Sequence, residues 1–273
     1  MQHNNNIPAF VFFGGPQISV EFLDELEKSD LLPSLIVTTP DRPSGRKMKM
    51  SSPPLKAWAD EKCIPVLQPE KFNTIKDELK NYDLFVVVAY GKIIPQFILN
   101  IPKYGSVNLH PSLLPKYRGA SPIISAMLND DKETGVSLML LDELMDHGPI
   151  LAQEHVSIKE WSTSRNMEEI FAKIGAELFL EVVPEYVNDK LQPVEQDHAY
   201  ATECKKFNKS DMELDLSNPR ESYLKYLSFE KPFFFHNETR IIVTDASYEN
   251  DQFIINKVIP AGKKEISWKQ YNS

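Results

Sequence analysis

The chain has 273 residues, 42% of them hydrophobic and 25% charged, with a net charge of −9. This composition predicts a globular protein of one large and one small domain, and the acidity excludes a broadly basic nucleic-acid coat. Two distant cysteines, Cys63 and Cys204, with no Cys/His cluster, exclude a disulfide framework and a structural metal, and suggest free thiols in a reducing cytoplasm.

The N-terminal "MQHNNN" lacks the basic and apolar regions of a secretory signal. "AFVFFGG" (9–15) then predicts a buried strand and tight turn, followed by an amphipathic helix in "ISVEFLDELEK". "SLIVTT" is a second strand, "SPPLKAWADEK" a helix with proline in its first turn, "IPVLQ" a short strand, and "FNTIKDELKN" (72–81) a helix. "DLFVVVAYG" is apolar on both faces, as a central parallel strand should be, and its apolar run Leu84–Tyr90 is too short to cross a membrane. Next come a strand at 106–110, a helix near 121–129, strands in "GVSLMLLD" and "GPILAQEHV", and a long helix from Ser164 to about Asn188. The last two strands, joined only by "ELMDH", predict an antiparallel edge. Strands alternating with helices imply an open, mostly parallel α/β sheet covered on both faces.

Polar, irregular residues 188–206 are predicted to be a linker between a domain at 1–187 and a small one at 207–273. The small domain shows one capped helix at "SNPRE" and two clear alternating strands, "TRIIVTDAS" and "QFIINKVIP". A short final helix is signalled by the Ser267/Gln270 capping pattern. Two clear strands cannot close a barrel. An open sheet or incomplete barrel is therefore expected, packed against the larger domain through "PFFF" (232–235). Residues 207–273 carry nine basic against ten acidic residues, so nearly all the net charge falls on 1–206. Within that acidic part lies one basic stretch, "PDRPSGRKMKM" (40–50), with Arg42, Arg46, Lys47 and Lys49.

The stretch "GSVNLHPSLLPKYRG" (105–119) breaks the local pattern. Alternation over 106–110 puts Asn108 and His110 on one face and Val107 and Leu109 on the other, and Pro111 stops the ladder. An amide and an imidazole therefore lie together at the carboxyl end of a strand, where open α/β sheets place their sites. "LLDELMDHG" supplies acids from another loop. A carboxylate can hold an imidazole charged or fix its tautomer, while an amide and an imidazolium donate to an oxyanion. With no serine or cysteine elbow, this suits attack by a substrate's own nucleophile on a small carbonyl. "FFGGPQIS" lacks the glycine spacing and the later acid of a dinucleotide site, which excludes a nicotinamide cofactor.

"VNLHPSLLPKYRGASPI" followed by "DKETGVSLMLLDELMDHGPIL" resembles the signature of the formyltetrahydrofolate-dependent formyltransferases. Its pairing with "TTPDRPSGRKMKMSSPPLKAWADEKCIPVLQPEKF" and "PAGKKEISWKQY" narrows the resemblance to the branch that formylates methionyl-tRNA. The resemblance implies a Rossmann-like fold, a C-terminal barrel domain here shortened, and a catalytic set of Asn108, His110 and Asp146. Asp146 is preferred to Asp142 because it precedes "HGPIL"; the family usually has threonine where His147 stands. The resemblance further implies 10-formyltetrahydrofolate as formyl donor, held by Val88, Ala89, Tyr90, Gly91, Ser112, Leu113, Leu114, Pro115, Leu141 and Asp142. Initiator tRNA charged with methionine would be the acceptor, bound by Arg42, Arg46, Lys47 and Lys49. A monomer without metal or membrane is expected. A sugar N-formyltransferase, a formyl hydrolase and a non-catalytic folate- or RNA-binding derivative are the alternatives.

Overall fold

The structure, a computed structural model, describes residues 7–44 and 48–273, so Arg46 and Lys47 lie outside the described residues. In chain order the first elements are β1 (Phe10–Gly14), α1 (Gln17–Glu27), β2 (Leu35–Val37), β3 (Arg42–Ser44), β4 (Lys49–Ser51), α2 (Pro54–Glu61) and β5 (Val66–Leu67). There follow α3 (Lys76–Leu79), β6 (Leu84–Val88), α4 (Gln96–Leu99), β7 (Ser106–His110), β8 (Arg118–Gly119), α5 (Pro122–Leu128), β9 (Glu133–Leu140), β10 (Ile150–Ser157) and α6 (Ser164–Val187). The chain ends with β11 (Glu203–Cys204), α7 (Pro219–Ser228), β12 (Phe233–His236), β13 (Thr239–Glu249), β14 (Gln252–Pro260), β15 (Ile266–Ser267) and α8 (Trp268–Tyr271). The chain forms two compact units. One comprises residues 1–119, 135–156 and 168–203; the other comprises 120–134, 157–167 and 204–273. None of the described helices is long and apolar enough to cross a membrane.

The first unit is built on a seven-stranded sheet in the order β10-β9-β7-β6-β1-β2-β5. From β7 to β5 every pairing is parallel, while β9 runs antiparallel to β7. All residues of β1, β2, β6 and β7 are buried, and β1, β2 and β6 accordingly read as unbroken apolar runs, whereas β7 alternates. On one face Phe10 and Phe12 meet Phe22 of α1 and Phe179 of α6. On the other, Val11, Phe13, Phe85 and Val87 pack with Leu79, Ile98 and Leu99 from α3 and α4. The sheet is therefore covered on both faces. Strand β2 lies on one side of β1 and β6 on the other, the kind of reversal outside whose carboxyl strand ends open α/β sheets carry their ligand crevice. Ser19 knits two of those ends together, accepting from the Gly15 amide at 3.1 Å and donating to the Val88 carbonyl at 2.7 Å.

Two local expectations need correction. The helix predicted over 72–81 is broken into a 3-10 turn, Phe72–Thr74, and the single turn of α3. Ile75, β-branched and buried, stands at the break with φ −114; packing of Phe72 and Ile75 against the core overrides the helical periodicity. In "PFFF", Phe233 and Phe234 are buried but Phe235 is 55% exposed. Phe235 shares a face with the buried Phe233, so alternation is not the cause; it stands towards the end of β12, next to the turn at 237–238.

In the second unit, β12-β13-β14-β15 form an open antiparallel sheet. Phe234, Ile241, Val243 and Val258 build its core with Leu214. Arg220 of α7 makes a bidentate pair with Asp130 just after α5, at 3.1 and 2.7 Å, and lies over the Tyr248 ring. This ties the 120–134 segment into the unit.

Tyr90 supplies one stability prediction. Its ring packs between Phe13 and Phe72, and its buried hydroxyl has no partner among the described residues. Burial pushes the phenol up to about 12. Tyr90→Phe should therefore raise stability by about 1–2 kcal/mol at neutral pH, seen as a higher urea midpoint with unchanged slope. Because the folded value lies above the unfolded one of ~10, the protonated phenol's contribution is fully present below that pH and is lost as pH rises towards 12. A lower midpoint for the phenylalanine variant would mean that the hydroxyl is satisfied.

Candidate active site

β7 is the centre of the site. Val107 and Leu109 face α6, where Gly175 lets the helix approach so closely that a Cβ there would lie 2.5 Å from Leu109 Cδ1. Asn108 and His110 take the opposite face and are 8% and 4% exposed. Among the described residues no protein group hydrogen-bonds the Asn108 side chain, so its amide donors are open to a ligand. His110 is held at both nitrogens. Nε2 lies 2.9 Å from the Tyr117 carbonyl, which only accepts, so Nε2 carries hydrogen and donates. Nδ1 lies 3.6 Å from Asp146 Oδ1, an ion-pair distance that is long for a hydrogen bond.

The acid reaches His110 because the loop after β9 turns back over this face. The Leu141 amide donates to the Ser106 carbonyl at the start of β7, and the Leu140 amide donates to the Pro149 carbonyl where the loop closes. Between these anchors Asp146 meets His110 at the other end of the strand. Asp146 Oδ2 accepts from the Gly119 amide at 2.8 Å, which fixes the carboxylate's second oxygen. Asp142 does not reach His110. One of its oxygens accepts from the Leu144 amide at 2.8 Å and the other lies 2.7 Å from His147 Nδ1. His147 is half-buried and stacks on His198 with centroids 4.1 Å apart and planes 8° apart.

Backbone strain gathers here. Ala89 (φ 51), Tyr117 (φ 60) and Asp146 (φ 48) all adopt the left-handed conformation. Ala89 and Tyr117 lack the short polar side chain that eases it, so each costs on the order of 1–3 kcal/mol, a pattern that collects at working sites.

The remaining predicted donor-site residues fall around the same crevice. Val87 pairs with Asn108, so residues 88–91 leave β6 just beyond the level of the amide. Val88 and Tyr90 turn into the core, whereas Ala89 and Gly91 are exposed. The exit loop 112–115 includes a cis Leu114–Pro115 bond and is pinned by hydrogen bonds. Ser112 Oγ donates to the Lys116 carbonyl, and Ser137 Oγ donates to the Ser112 carbonyl and accepts from the Leu114 amide. Gln153 closes the group on the Leu114 carbonyl. Ser112 and Leu114 are thus buried in protein, while Leu113 and Pro115 stay half-exposed beside the crevice. Leu141 packs against the core below it. Arg42 and Lys49 sit apart from this constellation on the exposed β3–β4 hairpin, a feature that sequence periodicity did not reveal. Asp41 at its base is held by the Gln68 amide and the Lys56 ammonium, which lower its carboxyl below the usual range. No group of three or more metal-ligating side chains occurs among the described residues.

Residues 8–183 match the family model described as formyl transferase. The chain is 40% identical to a methionyl-tRNA formyltransferase of Myxococcus xanthus over 217 residues, 78% of this chain and 69% of that protein. Among solved structures it resembles a methionyl-tRNA formyltransferase from Clostridium thermocellum, with TM-score 0.63 at 16% identity, covering 93% of this chain and 99% of that one. It also resembles a sugar N-formyltransferase from a Shewanella species, with TM-score 0.64 at 17% identity, covering 88% and 98%. At these identities the two structural likenesses concern the fold.

Proposed function

The chain belongs to the formyl transferase family, and on that premise we propose that it transfers the formyl group of 10-formyltetrahydrofolate to the amino group of methionine on initiator tRNA. The observation that carries this reading is His110 set between Asp146 and the Tyr117 carbonyl, beside the unpartnered amide of Asn108. The amine attacks the formyl carbon, giving a tetrahedral adduct whose oxygen becomes an anion. Asn108 donates to that oxyanion, an interaction typically worth ~3–4 kcal/mol per donor, and His110 joins it once its Nε2–H turns from the Tyr117 carbonyl to the substrate. Asp146 orients His110 along its Nδ1 edge and, directly or through water, takes the proton from the attacking nitrogen. The bond from carbon to folate N10 then breaks and N10 receives a proton. Holding both substrates in one crevice supplies the rest of the acceleration. The 3.6 Å gap between His110 and Asp146 suits a site that tightens once substrate is bound.

For the donor, the crevice offers exposed backbone at Ala89 and Gly91 and the half-exposed Leu113 and Pro115. A flat pterin edge can be read there by strand-end amides and carbonyls. The fold itself is shared with sugar N-formyltransferases, so acceptor choice is the point to test. Offered methionyl-tRNA and nucleotide-linked amino sugars together, the protein should formylate only the tRNA. Preferential formylation of a sugar would overturn the assignment.

The hairpin bearing Arg42 and Lys49 is the local cationic surface that an acidic protein needs to meet RNA. Replacing Arg42 and Arg46 by alanine should raise KM for tRNA. Its salt dependence should also flatten, by about 0.7–0.9 in log–log slope for each phosphate that is no longer neutralised. Folate affinity should hardly change. Unaltered tRNA kinetics with weakened folate binding would assign this hairpin to the donor instead.

A further inference from the structure

The stretch 188–206 has linker composition, yet one of its side chains closes on the Asp146 loop. Gln196 is 5% exposed. An antiparallel bridge between Ile150 and Val194, with N–H···O bonds of 2.8 Å in both directions, lays residues 194–196 beside the chain leaving that loop. The Gln196 amide is fully used. Nε2 donates to the carbonyls of Asp146 at 2.9 Å and Gly148 at 2.7 Å. Oε1 accepts from Arg118 Nε at 3.1 Å and Nη2 at 2.5 Å. Two donors and two acceptor positions are thereby exhausted. Arg118 also donates to His198 Nδ1 at 2.8 Å, and the next residue, Gly119, donates its amide to the Asp146 carboxylate. Asp146 is therefore held twice: at its carbonyl by Gln196, and at its carboxylate by the residue after the arginine that Gln196 binds.

The loop has reason to need this. Asp146 is left-handed at φ 48, and a Cβ at Gly148 would collide with the Leu140 carbonyl oxygen, so the chain is pressed against the end of β9. Without Gln196, two carbonyls of a strained segment would lose their donors and the backbone would relax elsewhere.

We infer that Gln196 is a positioning residue for the transfer: by holding the carbonyls at 146 and 148 it sets the Asp146 carboxylate against His110. This rests on the reading of Asp146 given above. Misplacement by about 1 Å can cost 10²-fold in rate, and at 3.6 Å the carboxylate already stands at the outer edge of contact with His110, so an outward shift of the loop loses it.

Two variants separate positioning from mere packing. Gln196→Glu keeps the length and the acceptors for Arg118 but removes both donors to the loop. Gln196→Met keeps volume and removes everything polar. In each, kcat should fall by about 10–100-fold while KM for donor and acceptor stays within about threefold. The Gly119 amide, which Asp146 protects, should exchange hydrogen at least about tenfold faster, with amides of β7 unchanged. Unchanged kcat, a change in KM alone, or a fall in kcat with Gly119 still protected would each overturn the proposal. Should the methionine variant not fold, the glutamate variant decides alone. Should the unaltered protein show no formyl transfer, the functional reading fails, and Gly119 exchange still decides whether Gln196 holds Asp146.

Discussion

Replacing Asn108 by alanine should lower kcat by about 10²–10³-fold while leaving KM for both substrates nearly unchanged. The size follows from burial and from the absence of a protein partner. Asn108 is 8% exposed beside His110, and no group among the described residues satisfies its side chain. A donor placed where charge develops only in the transition state acts on kcat, because the ground-state carbonyl oxygen asks much less of it. The surrounding fold should tolerate the change, since Val107 and Leu109 on the other face carry the packing against α6. Near-normal kcat in this variant would contradict the mechanism.

Asp146→Asn should be at least as damaging, with kcat falling by about 10³-fold, and far worse than Asp142→Asn. The asparagine oxygen can still accept from Gly119, so the loop keeps its anchor. What is lost is the negative charge facing His110 Nδ1 and the group that accepts the amine's proton. Asp142 is engaged elsewhere, capping the turn at Leu144 and pairing with His147, so its amide variant should lose less than about tenfold. The opposite order of severity would make Asp142 the proton-handling group.

Where periodicity was strong, sequence and structure agree for a physical reason. The short apolar runs of β1 and β6, rich in valine and phenylalanine and followed closely by glycine, read as strands buried on both faces, and the alternation in Ser106–His110 is enough to put Asn108 and His110 side by side. The proximity of Asp146 to His110 came from the resemblance; nothing in the spacing of a stretch such as "LLDELMDHGPI" says which acid folds back over the strand. The role of Gln196 left no mark at all. It binds carbonyls, which every residue carries, across some fifty positions of chain, and its surroundings have the polar composition of a connector. The hairpin at 42–51 was hidden because arginine, proline, serine, lysine and methionine make a poor β signal when the strands are exposed and three residues long. "PFFF" misled in the other direction, since hydrophobicity alone predicts burial for Phe235, which is exposed near the end of its strand although it shares a face with the buried Phe233.

The most direct test of the central claim is to count products of a single incubation with 10-formyltetrahydrofolate. With methionyl-tRNA present, each tetrahydrofolate released should be matched by one formylmethionine on tRNA; with uncharged tRNA, release should stop. Equal release of tetrahydrofolate with and without the charged tRNA, accompanied by free formate, would show that water is the acceptor and contradict the account.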